Sequence, residues 1–243
     1  MAGSGNRATP RYRVAADQLA EQIQSGELAA HSRVPSERTV AEQFGLSRMT
    51  ARQAVEHLVR QGLVYRRPGS GTYVSPPRVV HTLQRLAGFS EQMHAQGIEP
   101  SGRVLEMVLS DAIDPPARSA LRLRARQRVW MTRRVRFGDG EPLLLETFFV
   151  PDAVCPQLGK HDLTSGSLYD LMRRVFRVEP ARAHELIEPT TCDPADARHL
   201  GTRPGSTAIL VTRTTYDTGG RPVEFARDLY RGDRARFEVD LRS

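Results

Sequence analysis

Arginines concentrate in one short stretch of the chain, at a spacing that suits a polyanionic partner. Residues 44–78 contain six arginines and a single acid, Glu56. Arg48 and Arg52 are four residues apart, so they share one face if this stretch is helical. The planar guanidinium group fits phosphate oxygens and the O6 and N7 atoms of guanine. The clustering of arginines at one helix start favours DNA contact over the alternative, a solvated face on a small helical domain.

A second arginine pair, Arg134 and Arg136, is separated by one valine, so both side chains point to the same face of a strand. Glu146 follows on the expected hairpin partner, and residues 164–169 place hydroxyls and backbone N–H groups at a helix start. This set suits a phosphate, sulfate or carboxylate. The residues are equally consistent with ion pairs on a solvated sheet face, between these arginines and Glu146, Asp139 or Glu224.

The sequence contains no residue pattern typical of catalysis or metal binding. The seven histidines stand singly, and Cys155 and Cys192 are too few for a disulfide framework or a metal knuckle. Residues 69–71, Gly-Ser-Gly, lack the lysine and the spacing of a phosphate-binding loop. We therefore expect no catalytic residue, no metal and no cofactor.

Three helices and a hairpin are expected to position the first arginine cluster. An apolar stripe around Leu19 and Ile23 ends at a Ser-Gly pair, and Ser36 and Ser47 are suited to cap a second and a third helix. Gly45 turns the chain between those two helices, and two short strands then flank a glycine-rich turn. Two helices joined by a short turn and followed by a basic hairpin describe a winged helix-turn-helix.

The third helix of such a domain enters the major groove by its N-terminal end. Ser47, Arg48, Thr50 and Arg52 occupy that end, within reach of phosphates and base edges. The hairpin tip, Arg-Pro-Gly-Ser-Gly over residues 67–71, is narrow enough for a minor groove or a phosphate path.

Beyond residue 82 the pattern changes to strands joined by tight turns and short helices, which predicts an α+β domain with an antiparallel sheet. The expected strands are residues 104–109, 129–137, 143–149, 208–216, 223–229 and 237–241. The expected helices are residues 83–96, 115–121, 167–176 and 194–200.

An internal repeat lies within this second part. Residues 114–121 parallel residues 193–200 at an offset of 79, and residues 131–142 parallel residues 211–222 at an offset of 80. The repeated unit is helix, turn, strand, hairpin and strand. Two copies related by a pseudo-twofold axis would place corresponding strands side by side in one sheet, with a pocket in the cleft between the copies.

Length and composition agree with two domains. The 243 residues are 39% hydrophobic, which is enough apolar content for a core in one large domain or two small ones, and they carry a formal net charge of +7. Ser75-Pro-Pro favours extended backbone, so we expect a first domain over residues 8–75, a linker over 76–81 and a second domain over 82–243. No apolar run approaches the roughly 18–20 residues that span a bilayer, and no secretory signal opens the chain, so a cytoplasmic location is expected.

The first domain resembles a known family. Residues 35–64, PSERTVAEQFGLSRMTARQAVEHLVRQGLV, and residues 68–74, PGSGTYV, resemble the DNA-binding signature of GntR-family transcriptional regulators. The resemblance implies that the following residues contact DNA: Arg38, Ser47, Arg48, Thr50, Arg52, Arg67, Gly69 and Ser70. Met49 departs from the small polar residue that many relatives carry, which leaves open whether this position packs or contacts a thymine methyl.

The second domain resembles the UTRA effector domain of the HutC subfamily, whose fold is similar to that of chorismate lyase. The resembling stretches are RVR at 134–136, DGEP at 139–142, SLY at 167–169 and YDTGGRPVEFARDLYRGDR at 216–234. The resemblance implies that these residues bind the effector: Phe89, Ser90, Arg134, Arg136, Glu146, Ser167, Tyr169, Glu224 and Tyr230.

Together the two resemblances imply a homodimeric, ligand-responsive transcription factor, most often a repressor, in the bacterial cytoplasm and at the nucleoid. Its expected partners are an inverted-repeat DNA operator and a small anionic effector, either a phosphorylated sugar or a small carboxylate. No membrane partner is expected. The alternative is a lyase-like enzyme with an appended DNA-binding domain, which would turn over its bound anion.

Overall fold

A computed structural model describes residues 9–67, 69–75, 78–164 and 166–241. The chain divides into two compact units, Met1–Pro77 and Arg78–Ser243. Each unit has hydrophobic core clusters of its own, as separate domains require. Pro68 in the hairpin tip, Ser165 before the expected helix start and the first two residues of the predicted linker lie outside the described residues.

The first unit consists of three helices followed by a two-stranded hairpin. The elements are α1, Arg11–Gln24; α2, Glu37–Phe44; α3, Arg48–Arg60; β1, Val64–Arg67; and β2, Gly71–Val74. Ser36 and Ser47 cap α2 and α3 by accepting a hydrogen bond from the backbone N–H three residues on. Gly45 ends α2 at a φ of +59°, a left-handed conformation that allows the short turn into α3. This arrangement matches the predicted winged helix-turn-helix.

The apolar face of α3 builds the core of this unit. Ala51, Ala54 and Leu58 are fully buried and pack in one cluster with Leu19 of α1 and Val40 of α2. These positions follow the helical period of 3.6 residues. The opposite face of α3 is therefore left to solvent.

The second unit contains four helices, one 3₁₀ turn and eight strands among its described residues. The strands are β3, Val79–Thr82; β4, Pro100–Ser110; β5, Val129–Gly138; β6, Glu141–Pro151; β7, Pro180–Thr191; β8, Thr207–Asp217; β9, Pro222–Arg231; and β10, Ala235–Glu238. The helices are α4, Phe89–His94; α5, Pro115–Ala120; α6, Leu168–Arg174; and α7, Pro194–His199, with the 3₁₀ turn at Leu158–Lys160.

Six of these strands form one antiparallel sheet in the order β4-β5-β6-β9-β8-β7. The order is symmetric about the central β6–β9 pair. Each half is built from strand, helix, strand and strand, so it contains the predicted repeat of a helix and a hairpin and adds one strand before the helix. Strands β3 and β10 form a separate parallel pair.

The two faces of the sheet are covered by different helices. Helices α4 and α6 contribute Met93 and Met172 to clusters on the face that carries Leu144, Phe148 and Tyr230. Helices α5 and α7 pack on the opposite face, which carries residues such as Leu145, Phe149 and Leu229. The face under α4 and α6 is the one that receives both arginines of the second pair.

The second unit begins earlier than residue 82. The predicted linker extended over residues 76–81, but Val79–Thr82 forms a strand that pairs with Ala235–Glu238, and Val79 is buried. Because its backbone hydrogen bonds are satisfied by β10, this segment is part of the second unit. Residue 78 opens that unit.

Three elements differ from their sequence-based expectations. The strand expected over residues 237–241 lies instead at Ala235–Glu238, and it pairs parallel with β3 rather than joining the antiparallel sheet. The helix expected over residues 83–96 is confined to Phe89–His94, because the chain is extended at Gly88, where the helix begins. Strand β7 was missed altogether. It lies at the sheet edge, most of its residues are exposed on both faces, and Pro189 lies within it, so the apolar alternation typical of a strand is absent.

Candidate DNA-binding surface and effector pocket

The N-terminal end of α3 presents an exposed polar surface. Ser47 Oγ accepts a hydrogen bond from the N–H of Thr50 at 3.2 Å, and the two hydroxyl oxygens lie 2.8 Å apart. Arg48 and Arg52 are exposed on the same helix. The first turn of α3 therefore offers hydroxyl and guanidinium donors together, as contact with phosphates and base edges requires.

Arg52 is oriented by an acid one turn further along α3. Its Nε atom lies 3.0 Å from Oε1 of Glu56, and this hydrogen bond raises the pKa of Arg52 above its usual range. Arg66 of the hairpin approaches the same carboxylate at 3.7 Å. The pairing leaves the two terminal nitrogens of Arg52 without a hydrogen-bond partner among the described residues. Those two nitrogens are the donors used in bidentate contact with guanine.

The hairpin, or wing, holds Arg67 between two tyrosines. Its guanidinium carbon lies 5.4 Å and 4.9 Å from the ring centroids of Tyr65 and Tyr73, and Nη2 donates a hydrogen bond to Tyr65 Oη at 3.0 Å. Ser70 Oγ lies 2.6 Å from Tyr73 Oη. Gly69 adopts a φ of +73°, and a Cβ atom there would meet nothing within 4 Å. The wing tip is therefore an open turn with one arginine fixed beside it.

Arg38, on the exposed side of α2, pairs with Glu42 one turn away at 2.9 Å. Exposed pairs of this kind contribute at most about 1 kcal/mol. The pair therefore opposes a move of Arg38 towards a phosphate only weakly.

In the second unit, Arg134 and Arg136 are buried rather than solvated, at 2% and 0% exposure. Arg134 Nε donates to Glu146 Oε2 at 2.5 Å, and its Nη1 donates to the carbonyl oxygens of Leu163 and Gly166 at 2.7 and 3.1 Å. The structure therefore confirms the predicted pairing with Glu146 but not the solvated sheet face. Both arginines are instead aimed into the interior of the fold.

Arg136 has no carboxylate partner among the described residues. Its Nη2 donates to Ser90 Oγ at 2.7 Å, its Nε is buried without a hydrogen-bond partner, and the ring centroid of Phe89 lies 4.7 Å from its guanidinium carbon. Burial and the neighbouring Arg134 lower the pKa of Arg136 to about 10, so it remains charged at neutral pH. A buried cation with an unused hydrogen-bond donor can bind an anion.

Acids and hydroxyls collect beside this arginine pair. Tyr169 Oη and Thr215 Oγ1 donate to Glu224 Oε2 at 3.0 and 2.6 Å, and Arg213 Nη1 donates to Asp228 Oδ2 at 2.9 Å. The other oxygen of Asp228, Oδ1, is buried without a partner. This part of the site therefore supplies hydrogen-bond acceptors for the hydroxyl or amine groups of a ligand.

The acids of the site differ in their proton affinity. Burial, together with the nearby Glu146 and Glu224, raises the pKa of Asp228 to about 8, although Arg213 opposes the shift. Burial also favours the neutral form of Glu146, but Arg134 and Arg136 overcome it and hold the pKa of Glu146 below its usual range. At neutral pH the Glu146 side chain is therefore charged, whereas Asp228 carries a proton much of the time.

These groups enclose a small cavity of about 30 Å³, room for one or two water molecules. All nine residues to which the UTRA resemblance assigned effector contacts line it: Phe89, Ser90, Arg134, Arg136, Glu146, Ser167, Tyr169, Glu224 and Tyr230. A larger cavity of about 420 Å³ adjoins it and shares Ala87, Gln92, Arg213 and Tyr230. We call the smaller cavity the effector pocket, after the contacts that the UTRA resemblance implies.

Metal binding and thiol chemistry find little support in the described parts of the chain. They contain no cluster of three or more histidine, cysteine, aspartate or glutamate side chains suited to a metal ion. Cys155 and Cys192 are buried, and burial raises the pKa of both thiols, to about 12 for Cys155. Within the same residues, no helix combines the length and the hydropathy needed to cross a bilayer.

Comparison with known proteins finds a matching family model for each of the two units. The model of bacterial regulatory proteins of the gntR family matches residues 11–74, and the model of the UTRA domain matches residues 95–236. The HTH-type transcriptional repressor NagR of Bacillus subtilis is 37% identical over 228 residues, which cover 94% of this chain and 93% of NagR. The histidine utilization repressor of Pseudomonas putida is 29% identical, with 98% of this chain and 94% of that protein aligned. The crystal structure of PhnF from Mycobacterium smegmatis has a TM-score of 0.68 at 28% identity, covering 94% of this chain and 99% of that one.

The chain belongs to the GntR family of transcriptional regulators and carries a UTRA domain. The predicted HutC-type organisation, a winged helix-turn-helix followed by a UTRA domain, is confirmed. Members of this family are regulators, so the alternative of a lyase-like enzyme with an appended DNA-binding domain is wrong.

In this GntR regulator, the sequence analysis did not predict two charged residues of the effector pocket, Asp228 and Arg213. Asp228 lies four residues after Glu224 on β9, so strand alternation puts both on one face, a signal that the sequence does contain. Arg213 matches Arg133 in the internal repeat, but Arg133 lies on the opposite sheet face, where it pairs with Asp196. The repeat alone therefore gave no indication that Arg213 faces the pocket.

Proposed function

We propose that this GntR regulator is a homodimeric repressor in the cytoplasm that binds an inverted-repeat operator and releases it when a small anion occupies the effector pocket. The predicted DNA contacts are the α2 residue Arg38, the start of α3 and the wing. Two identical DNA-binding domains suit a site with twofold symmetry. Both relatives named above are repressors by name, which supports the sign of regulation.

The observation that carries the effector assignment is the division of charge within the pocket. Arg136 and the hydroxyl of Ser90 form one end, where a buried cation lacks a carboxylate partner among the described residues. Glu146, Glu224 and Asp228 form the rest, where acceptor oxygens meet the cavity. A ligand with one anionic group and several hydroxyls satisfies both ends.

A phosphorylated sugar fits this division better than a simple carboxylate does. A phosphate offers several oxygens to Arg136, Ser90 and Ser167, whereas sugar hydroxyls donate to the acids. A small carboxylate would satisfy the arginine but leave Oδ1 of Asp228 without a donor. Because one relative is named a histidine utilization repressor, an amino-acid-like carboxylate is the second candidate effector.

We propose that effector binding reshapes the pocket. The pocket has room for only one or two water molecules but adjoins the cavity of about 420 Å³, so a sugar phosphate would enlarge it by displacing Phe89 or the segment that precedes α4. A ligand that binds one conformation better than another shifts the population towards it, and linkage then changes the affinity for DNA.

Thermal-shift measurements on the full chain identify the effector class. The panel contains glucose 6-phosphate, glucosamine 6-phosphate, N-acetylglucosamine 6-phosphate, inorganic phosphate, citrate and histidine, each at millimolar concentration. A specific ligand at 100 times its Kd stabilises by about 2.7 kcal/mol. We expect a sugar phosphate to raise the Tm, with inorganic phosphate giving a smaller shift. Stabilisation by citrate or histidine alone would favour the carboxylate.

A further inference from the structure

Met49, the second residue of α3, is 66% exposed. In the described part of the first unit, Val14 is the other large apolar side chain classed as exposed, at 45%. Met49 lies next to Arg48 and within the turn capped by Ser47. The apolar side chain of Met49 is therefore available for contact with another surface.

The side chain of Met49 does not pack in the hydrophobic core of the first unit. The buried face of α3 carries Ala51, Ala54 and Leu58, and Met49 is absent from the core cluster that they form. Residues three and four apart on a helix share a face, which places Met49 with Arg52 and Gln53. Met49 therefore belongs to the surface that carries the terminal nitrogens of Arg52.

The major groove of DNA offers one apolar group, the C5-methyl group of thymine. Methionine is flexible and polarizable, so its side chain adapts to such a methyl group without a fixed geometry. Guanidinium groups on this helix face can donate hydrogen bonds to guanine, and the thioether can pack against the methyl group of thymine. Arg52 and Met49 together thus have the donor and the apolar contact needed for two different bases.

We propose that Met49 is a base-reading residue that packs against the methyl group of a thymine next to the base pair contacted by Arg52. The inference rests on the proposed binding of DNA by α3. It assigns Met49 to sequence discrimination rather than to stability or to phosphate binding.

Replacement of thymine by deoxyuridine tests this assignment, because it removes only the methyl group. A duplex is first selected from a randomised pool by the full-length protein. Each thymine of the selected duplex is then replaced singly by deoxyuridine, and the Kd is measured by fluorescence anisotropy at constant salt. The proteins compared are the wild type, Met49→Ala and the control Val14→Ala, which removes the other exposed apolar side chain.

We expect one thymine in each half-site at which deoxyuridine raises the wild-type Kd about threefold to fivefold, the effect of losing one buried methyl contact. Met49→Ala should raise the Kd for the unmodified duplex by at least as much and be insensitive to that replacement. Val14→Ala should behave as the wild type.

Equal sensitivity of the wild type and Met49→Ala to every deoxyuridine would overturn the assignment. An unchanged Kd for Met49→Ala would do the same. If the pool yields no enriched sequence, the proposed sequence-specific binding fails, and the role of Met49 fails with it. That failure appears at the selection step, before any deoxyuridine duplex is made.

Discussion

Arg134 and Glu146 lie directly opposite each other on β5 and β6 and form a buried ion pair, with Nε and Oε2 2.5 Å apart. The pair neutralises Arg134 but leaves Arg136, two residues further along β5, without a carboxylate partner among the described residues. An uncompensated buried charge is costly, and a ligand that neutralises it gains the corresponding free energy. Arg136 is therefore the residue on which anion binding should depend most.

Arg136→Gln should abolish effector binding and leave DNA binding intact. Glutamine keeps a donor for Ser90 but removes the charge, so we expect at least a hundredfold loss of affinity in calorimetry with the ligand found by thermal shift. The matched control is Arg227→Gln, because Arg227 is exposed and lies on the opposite face of the same sheet. Equal losses in the two variants, or retention of binding in Arg136→Gln, would place the anion site elsewhere.

The Arg52→Ala variant should lose sequence discrimination while retaining general affinity for DNA. A bidentate arginine–guanine contact is worth about 1–3 kcal/mol, so the ratio of specific to non-specific affinity should fall about tenfold or more. Competition binding with the selected duplex and a scrambled duplex measures this ratio. Arg60→Ala, an exposed arginine in the last turn of the same helix, is the control. The interpretation fails if both variants keep the wild-type ratio.

Arg67→Ala should weaken binding to the selected and the scrambled duplex by the same factor. Its guanidinium group is held by Tyr65 and Tyr73, and we propose that it contacts a phosphate rather than a base edge. Loss of one phosphate contact per subunit, two per dimer, reduces the slope of log K against log salt by about 2. Binding isotherms at several salt concentrations give the slope. An unchanged slope, or a loss confined to the selected duplex, contradicts the assignment.

Asp228 should make the second unit less stable as the pH rises. Burial raises the pKa of Asp228 to about 8, against about 3.9 for an aspartate in an unfolded chain. The native state therefore binds more protons between these two values, and stability falls as the pH passes through that interval. Asp228→Asn keeps a neutral side chain throughout. The Tm of the wild type minus that of Asp228→Asn should thus decrease between pH 6 and pH 8.5.

Calorimetric melting curves in phosphate-free buffer provide this difference. A decrease of about 3 °C corresponds to roughly 1 kcal/mol in a chain of this size. Arg213, Glu146 and Glu224 are present in both proteins, so the difference between the two curves removes any pH dependence that does not involve Asp228. Parallel curves across the interval would show that Asp228 is already ionised in the native state.

Local signals predicted most of the first unit. Ser36, Gly45 and Ser47 mark helix ends through backbone chemistry that acts within a few residues, and the structure shows a cap or a left-handed turn at each. Five of the six strands expected in the second unit lie in the antiparallel sheet, whereas the sixth is shifted to Ala235–Glu238 and pairs with β3. Strand β7 was not predictable in this way, since its pairing with β8 and not a buried face holds it in place.

The pocket was only partly predictable for a similar reason. Arg134 and Arg136 share a strand face by alternation alone, but their burial depends on Phe89, Ser90 and Gly166, which approach from distant parts of the chain. No local pattern gives that approach. The resemblance to UTRA domains supplied nine of the lining residues. The alternation that places Asp228 beside Glu224 was present in the sequence, whereas Arg213 became apparent only in the folded sheet.

The central claim is that occupancy of the effector pocket controls the affinity for DNA, and one titration tests it directly. The Kd for the selected duplex is measured by fluorescence anisotropy with and without a saturating concentration of the ligand found by thermal shift. We predict that the ligand raises the Kd at least tenfold for the wild type and for Arg227→Gln, but not for Arg136→Gln. A ligand that calorimetry shows bound to the wild type, yet that leaves its Kd for DNA unchanged, would contradict the account.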